Sequence, residues 1–401
     1  MGSSGPASPP GRRRVVITGM GTVNALTSGG ASAVTEALAL GRSGIGPLRG
    51  FAPEPGGSRL AAEIDDARLA ALIDPAEARR LSRICRLTVA ACRLAMEDSG
   101  VGSGLGLAIV VGSEHGDFRS SEEFAAGYLQ RGIAGLSPMI FPNTVMNTMA
   151  SVAAIAVGAR APSVTLNQPT IVGDLAVARA AAIVARGDAE AAVAGGVDEI
   201  CPLVYRHLQG LGALSPMQSG APEGCRPYAA DHNGPVLGEG ATFLVLESLD
   251  AARARGASIV AELVDQAWGN VPASAHAARP ARADRGSPVG RMLAAHAVPG
   301  FRRVYGAGNG DAGVDDWERG LLARDLGPRD TPLSLAPLFG QHGGLGALRV
   351  AAAALDAARG VSPVLVHGIA RGGCRTALIV TALDPEAVHP DGLHLDIRDH
   401  E

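Results

Sequence analysis

Apolar and polar positions along this chain fall into short blocks whose length and spacing set the elements. Val15-Val16-Ile17-Thr18 is an apolar run of buried-strand type, read as stopped by Gly19-Met20-Gly21, and residues 31–40 follow with helix composition. Between residues 75 and 99, Leu81, Ile84, Cys85, Cys92 and Ala95 recur on one face with Thr88 as its polar member, which predicts a single amphipathic helix ended by Gly100. Residues 107–111 and 163–166 predict strands, 174–185 a helix, and 191–194 a strand stopped by Gly195-Gly196. Further on, strands at 243–246 and 258–264 flank a helical stretch at 250–255. Residues 303–305, a helix at 345–358, and strands at 363–367 and 376–382 repeat the pattern. Short apolar-rich strands alternating with helices predict an α/β fold with largely buried sheets.

The Gly/Ser/Pro-rich opening, residues 1–11, is expected to be a disordered tail, and residues 272–288 a surface loop. A boundary between residues 247 and 256 divides the rest into two halves, 12–250 and 251–401, expected to be similar units.

Composition narrows the chemistry. With 401 residues, 47% of them hydrophobic, the chain can bury a large core or two smaller ones. Its 35 basic residues are all arginine against 39 acidic ones, and the net charge of -4 excludes a general nucleic-acid or membrane-surface role. The lack of lysine excludes Schiff-base chemistry. Cys85, Cys92, Cys201, Cys225 and Cys374 are scattered and odd in number, which fits reduced thiols in the cytoplasm and no metal site. Neither an apolar run of membrane-spanning length nor a cofactor motif is present.

Several segments in order resemble the β-ketoacyl synthase family, over about residues 12–382. They are Arg13 to Gly21; Phe141-Pro142-Asn143-Thr144-Val145-Met146-Asn147; Arg226-Pro227-Tyr228 with Asp231; and Gly234-Pro235-Val236-Leu237-Gly238-Glu239-Gly240, running on to Leu244-Val245-Leu246-Glu247. The resemblance implies a thiolase-like fold of two similar α/β halves in an αβαβα stack, and acyl condensation on an acyl carrier protein.

The family's catalytic set does not carry over. After the strand at 163–166, the nucleophilic cysteine's position falls on Thr170, with the following glycine kept as Gly173. A threonine hydroxyl stays protonated at neutral pH without an adjacent base. In Gly306-Ala307-Gly308-Asn309-Gly310-Asp311 the first histidine is replaced by Ala307; in Gly340-Gln341-His342-Gly343-Gly344 the second falls on Gln341, and a one-residue shift would put His342 there instead. Along His367 to Cys374 the paired glycines Gly372 and Gly373 match, but Arg371 takes the place of the gating phenylalanine.

Within the family, members lacking this set are chain-length factors of type II polyketide synthases, and the resemblance implies that role: a heterodimer with an active ketosynthase, serving an acyl carrier protein. Thr170 departs from the glutamine common in aromatic-polyketide members, so an aromatic and a reduced polyene product are equally implied. Phe118, Ile140, Phe141, Met146 and Met149 are candidate tunnel or interface residues. Arg79, Arg83 and Arg86, on the helix face opposite the apolar one, are candidate carrier contacts. A homodimeric enzyme with hydrolase, acyltransferase or cyclase chemistry at His342, Glu239 or Thr170 is the competing reading.

Overall fold

The computed structural model describes residues 12–104, 106–217, 222–274, 277–278, 287–296, 300–327 and 331–384. The expected tail and most of the expected loop at 272–288 lie outside these residues.

Nine strands form the backbone of one continuous sheet: β1 (Val15–Asn24), β2 (Leu107–Gly112), β3 (Ser163–Leu166), β4 (Ala191–Asp198), β5 (Gly240–Ser248), β6 (Ala261–Asn270), β7 (Arg303–Tyr305), β8 (Val364–Ile369) and β9 (Cys374–Thr381). Their order is β7-β8-β9-β6-β1-β5-β4-β2-β3, which leaves β3 at an edge. The start of β1 pairs with both β5 and β6, Val15 opposite Ser248 and Leu263, and so joins the strands before residue 250 to those after it. β2, β3 and β4 run parallel.

Helices fill the layers around this sheet: α1 (Ala31–Leu40), α2 (Pro75–Ala78), α3 (Arg83–Ser99), α4 (Phe118–Arg131), α5 (Thr148–Val157), α6 (Val172–Arg186), α7 (Leu249–Ala254), α8 (Pro288–His296), α9 (Ala312–Leu326) and α10 (Gly344–Ala358). α6 and α10 pack on each other and touch strands of both sheet halves, β4 and β5 on one side and β6 and β9 on the other. Every residue of α10 from Gly344 to Ala357 is buried, so the apolar stretch read from the sequence is a central helix with no solvent face. α3 and α5 cover the outer side of the first half and α8 that of the second. This is the expected αβαβα stack.

Three local expectations change. β1 continues through Gly19 and Gly21, because a Cβ at Gly21 would lie 2.3 Å from the Ala91 carbonyl oxygen of α3; the glycines admit a close helix crossing and make no turn. In the same way β4 runs on through Gly195-Gly196 to Asp198. The single helix expected over 75–99 is two, since Ser82 adopts an extended N-cap conformation that restarts the chain as α3.

Candidate functional site

The C-terminal ends of parallel β2, β3 and β4 lie together, the place where loops leaving an α/β sheet splay apart and leave room for a ligand. The Asp198 carboxylate, at the end of β4, braces this region. It accepts from Ser113 Oγ at 2.6 Å, from the Glu114 and His115 N–H groups at 3.1 Å, and from Gly343 N–H at 2.7 Å. Asn167 Nδ2 donates to the carbonyls of Ser113 and Glu114 at 2.9 and 2.8 Å from the β3 side.

Thr170 sits in the turn between β3 and α6 at φ +61°, a left-handed conformation that crowds a β-branched side chain. Its N–H donates to Glu114 Oε2 at 2.9 Å. α6 and α10 approach so closely that a Cβ on Gly173 would lie 2.6 Å from the Gly343 carbonyl oxygen, and one on Gly346 2.5 Å from Asp174 N. A fully buried ion pair, Arg349 with Asp174, clamps the same crossing, and Arg349 Nη1 donates to Gly306 O at 3.2 Å. These contacts bring the Thr170 turn, residues 341–344 and the loop after β7 into one neighbourhood.

The result is a cavity of about 120 Å³ lined by Glu114, Thr170, Glu199, Gln341, His342 and Arg371, among others. Burial raises the Glu199 carboxyl to about 7, against the pull of Arg119, whose Nε lies 3.2 Å away. Glu114 is also raised, by burial and then by neighbouring Asp198, with His115 opposing. His342, 2% exposed, is lowered to about 4 by burial and is a neutral imidazole at pH 7. Among the described residues, neither amide atom of Gln341 nor Glu199 Oε1 has a hydrogen-bond partner.

Thr170, Gln341 and Arg371 thus meet at one cavity, and His342 joins Gln341 there. Ala307 is packed behind it, 1% exposed, in a cluster with Ile171 and Ile369, and its N–H donates to Glu318 at 3.1 Å. Glu318 also accepts from Tyr228 Oη and pairs with His367 Nδ1, both at 2.6 Å; burial keeps His367 neutral and it accepts from Arg375 at Nε2. The Thr170 hydroxyl bonds to no imidazole or carboxylate among the described residues, so no nucleophile–base pair is assembled. At the rim, Arg371 Nε donates to Asp311 Oδ2 at 2.6 Å, and Gly372 and Gly373, at φ +83° and +94°, turn the loop back into β9.

Beside the cavity, β3 is an edge strand, and Leu129, Ile133, Met139, Phe141, Val145 and Ile155 are exposed large apolar side chains on the neighbouring segments. The Phe141 ring lies tilted against Phe124, with centroids 5.8 Å apart. Phe118 opens α4, tilted 6.1 Å from His115; Ile140 and Met146 are half-buried. Met149 departs from a surface role, being 1% exposed inside the core beneath α3.

Arg79, Arg83 and Arg86 do line one surface cavity of about 730 Å³, joined by Arg119 over an apolar floor that includes Leu69 and Ile73. They are not a uniformly solvated helix face, however. Arg79 lies in the break between α2 and α3, and Arg86 Nε donates to Leu81 O at 2.9 Å. Arg83 is turned inward: its Nη2 donates to Glu239 Oε1 at 2.7 Å and it also pairs with Asp66. Glu239 further accepts from the N–H groups of Ile64 at 2.8 Å and Ile200 at 3.2 Å, so it braces loops.

Sequence reasoning missed Glu114, Asp198 and Glu199. The available signal was acidic residues placed immediately after apolar strands, at the ends where α/β sheets form their sites.

Residues 12–252 match the family described as beta-ketoacyl synthase, N-terminal domain. The 3-oxoacyl-[acyl-carrier-protein] synthase 2 of Synechocystis is 30% identical over 261 residues, 64% of this chain; that of Vibrio cholerae is 31% identical over 258 residues, 63% of this chain. Either match spans 62% of the relative's own length. Among solved structures, the ishigamide ketosynthase/chain length factor superposes with TM-score 0.83 at 24% identity, covering 93% of this chain and all of that one. A type II polyketide ketosynthase in complex with its acyl-carrier protein gives 0.77 at 18% identity, with the same coverage. The family match spans well over half the chain, and the superpositions show a shared fold: this chain belongs to the β-ketoacyl synthase family.

Proposed function

We propose that this chain is a non-catalytic, chain-length-factor-like subunit that pairs with an active ketosynthase and shapes the acyl tunnel for polyketide or polyene elongation on an acyl carrier protein. The observation that carries this reading is one of position. A cavity with no nucleophile–base pair at Thr170 among the described residues lies next to the edge strand β3, paired on one side only, and an exposed apolar face. An open strand edge flanked by large apolar side chains is costly to leave in water and suits a partner that continues the sheet. The two structural neighbours named above are a ketosynthase/chain length factor and a ketosynthase with its carrier protein, which supports the same reading.

On this reading Phe118, Ile140, Phe141 and Met146 face the partner or the shared tunnel, with Met149 supporting them from the core. Arg79 and Arg86 are the arginines available to an acidic carrier protein. The halves 12–250 and 251–401 are read as copies of one unit, each supplying part of the sheet and one central helix. Five free cysteines suit a reducing cytoplasm, and among the described residues no helix is long and apolar enough to cross a membrane.

The test is co-expression with a candidate ketosynthase from the same source, purification by a tag on one subunit, and assay of carrier-bound malonyl condensation. A 1:1 complex whose activity is lost with the partner's cysteine and kept in Thr170→Ala supports the proposal. A chain that purifies as a homodimer and turns over an acyl thioester in a Thr170- or His342-dependent way overturns it in favour of an altered acyl-thioester enzyme.

A further inference from the structure

We infer that the Thr170 turn is a binding site for a small carboxylate or carbonyl group and that this chain fills it with its own Glu114. The inference takes the cavity to be the acyl site of the fold, as the proposed function does, and names what occupies it. The Thr170 N–H faces the cavity, where an incoming carbonyl oxygen would accept from it, and Glu114 Oε2 already does so at 2.9 Å.

Glu114 has little freedom to leave. Its N–H is held by Asp198 and its carbonyl by Asn167 Nδ2, while the flanking Ser113 hydroxyl and His115 N–H are held by the same Asp198 carboxylate. The backbone on both sides of the glutamate is therefore fixed, and only side-chain rotation could withdraw the carboxylate. Thr170 is fixed as well, since Ile171 N–H bonds back to Pro169 O at 2.6 Å and the turn feeds directly into α6. Independently, the cavity is built for polar contact: Glu199 is 3% exposed with Oε1 lacking a partner among the described residues, and both amide atoms of Gln341 are in the same state. A ligand carbonyl entering here would have to displace an internal carboxylate that carries no binding entropy cost.

Truncating Glu114 to alanine removes one methylene and the carboxylate, the heavy atoms of acetate, so fluoroacetate followed by ¹⁹F NMR on the full chain is the probe. The expectation is saturable binding to Glu114→Ala about tenfold tighter than to the wild type, with Glu114→Gln, whose amide oxygen still accepts from Thr170, excluding the probe as the wild type does. Equal binding by wild type and Glu114→Ala, no saturable binding to a cooperatively melting Glu114→Ala, or free entry into Glu114→Gln would each overturn the inference. Should Glu114→Ala not melt cooperatively, amide exchange decides: Thr170 N–H should be protected in the wild type and in Glu114→Gln, and exchange at an open-loop rate in either would overturn it. None of these readouts needs a partner subunit, so failure of the pairing proposal and failure of this one are separable.

Discussion

Arg371 donates from Nε to Asp311 Oδ2 at 2.6 Å, tying the glycine loop after β8 to the residue that caps α9. The pair spans the cavity mouth with the arginine about one-third and the aspartate one-tenth exposed. A pair of this exposure contributes under about 1 kcal/mol to global stability, but it ties the loop to α9 beside the packing of Ile369 and Ala370 with Val314 and Leu321. Arg371→Ala should leave the denaturation midpoint nearly unchanged while the amides of Gly372 to Cys374 exchange at least about tenfold faster. Unchanged exchange would mean that backbone bonds and apolar packing hold the loop without the ion pair.

Arg83 and Glu239 predict the opposite balance. The pair is largely desolvated, 17% and 4% exposed, and the arginine is held firmly protonated although burial opposes it. Removing one partner leaves a buried charge, so Arg83→Ala should cost about 3–5 kcal/mol by urea denaturation. Arg79→Ala should cost close to nothing. A carrier-binding test on these arginines is therefore interpretable with Arg79 and Arg86 variants alone.

Thr170 at φ +61° is a β-branched residue in a conformation that asparagine tolerates far better. Thr170→Asn should raise stability by about 1 kcal/mol, and Thr170→Val, which stays β-branched, should give no gain. Thermal melts of the three proteins check this; equal stability of all three would show that the turn is not strained.

Glu199 gives a pH signature. Its carboxyl is raised from an ordinary 4.5 to about 7 by burial, so between those values the unfolded chain has released the proton and the folded one keeps it. Stability from this group is full below about 4.5 and falls as pH rises toward 7, by up to about 3 kcal/mol. His342, lowered from 6.5 to about 4, acts in the reverse sense, its contribution growing as pH rises through that window. The difference in unfolding free energy between wild type and Glu199→Gln isolates the glutamate. It should shift steadily in favour of the variant from pH 4.5 to 7 and level off above; a pH-independent difference would refute the assignment.

Met139 and Ile155 are 86% and 83% exposed in this chain. Met139→Asp and Ile155→Asp should each change its own stability by less than about 0.5 kcal/mol and abolish co-purification with a ketosynthase partner. Intact pairing in both variants would place the interface elsewhere.

Much of the fold was legible along the chain because burial on both faces leaves a simple mark. The run at 107–111 needs no alternation because both sides of its strand are covered, and Leu345 to Ala357 lacks a solvent face because α10 touches both halves of the sheet. Thr170, Ala307 and Arg371 could likewise be named as candidates in sequence, since motifs on both sides fixed their places, and Gln341 with His342 as one of two adjacent choices. What local pattern could not carry were contacts between distant segments. Gly21 reads as a turn until the α3 backbone is seen against it, and Arg83 reads as a solvated cation until Glu239, 156 residues away, is found beside it. Nothing local singles out Glu114; only when β2 and β3 are paired does its carboxylate meet the Thr170 N–H. Hydrophobic periodicity records which way a residue faces relative to its own helix or strand, so the sequence determined the elements and the burial of their faces. A hydrogen bond or ion pair depends on two positions whose separation is set only when the whole chain has packed, so the partners of Glu114, Arg83 and Arg371 were decided by the tertiary structure.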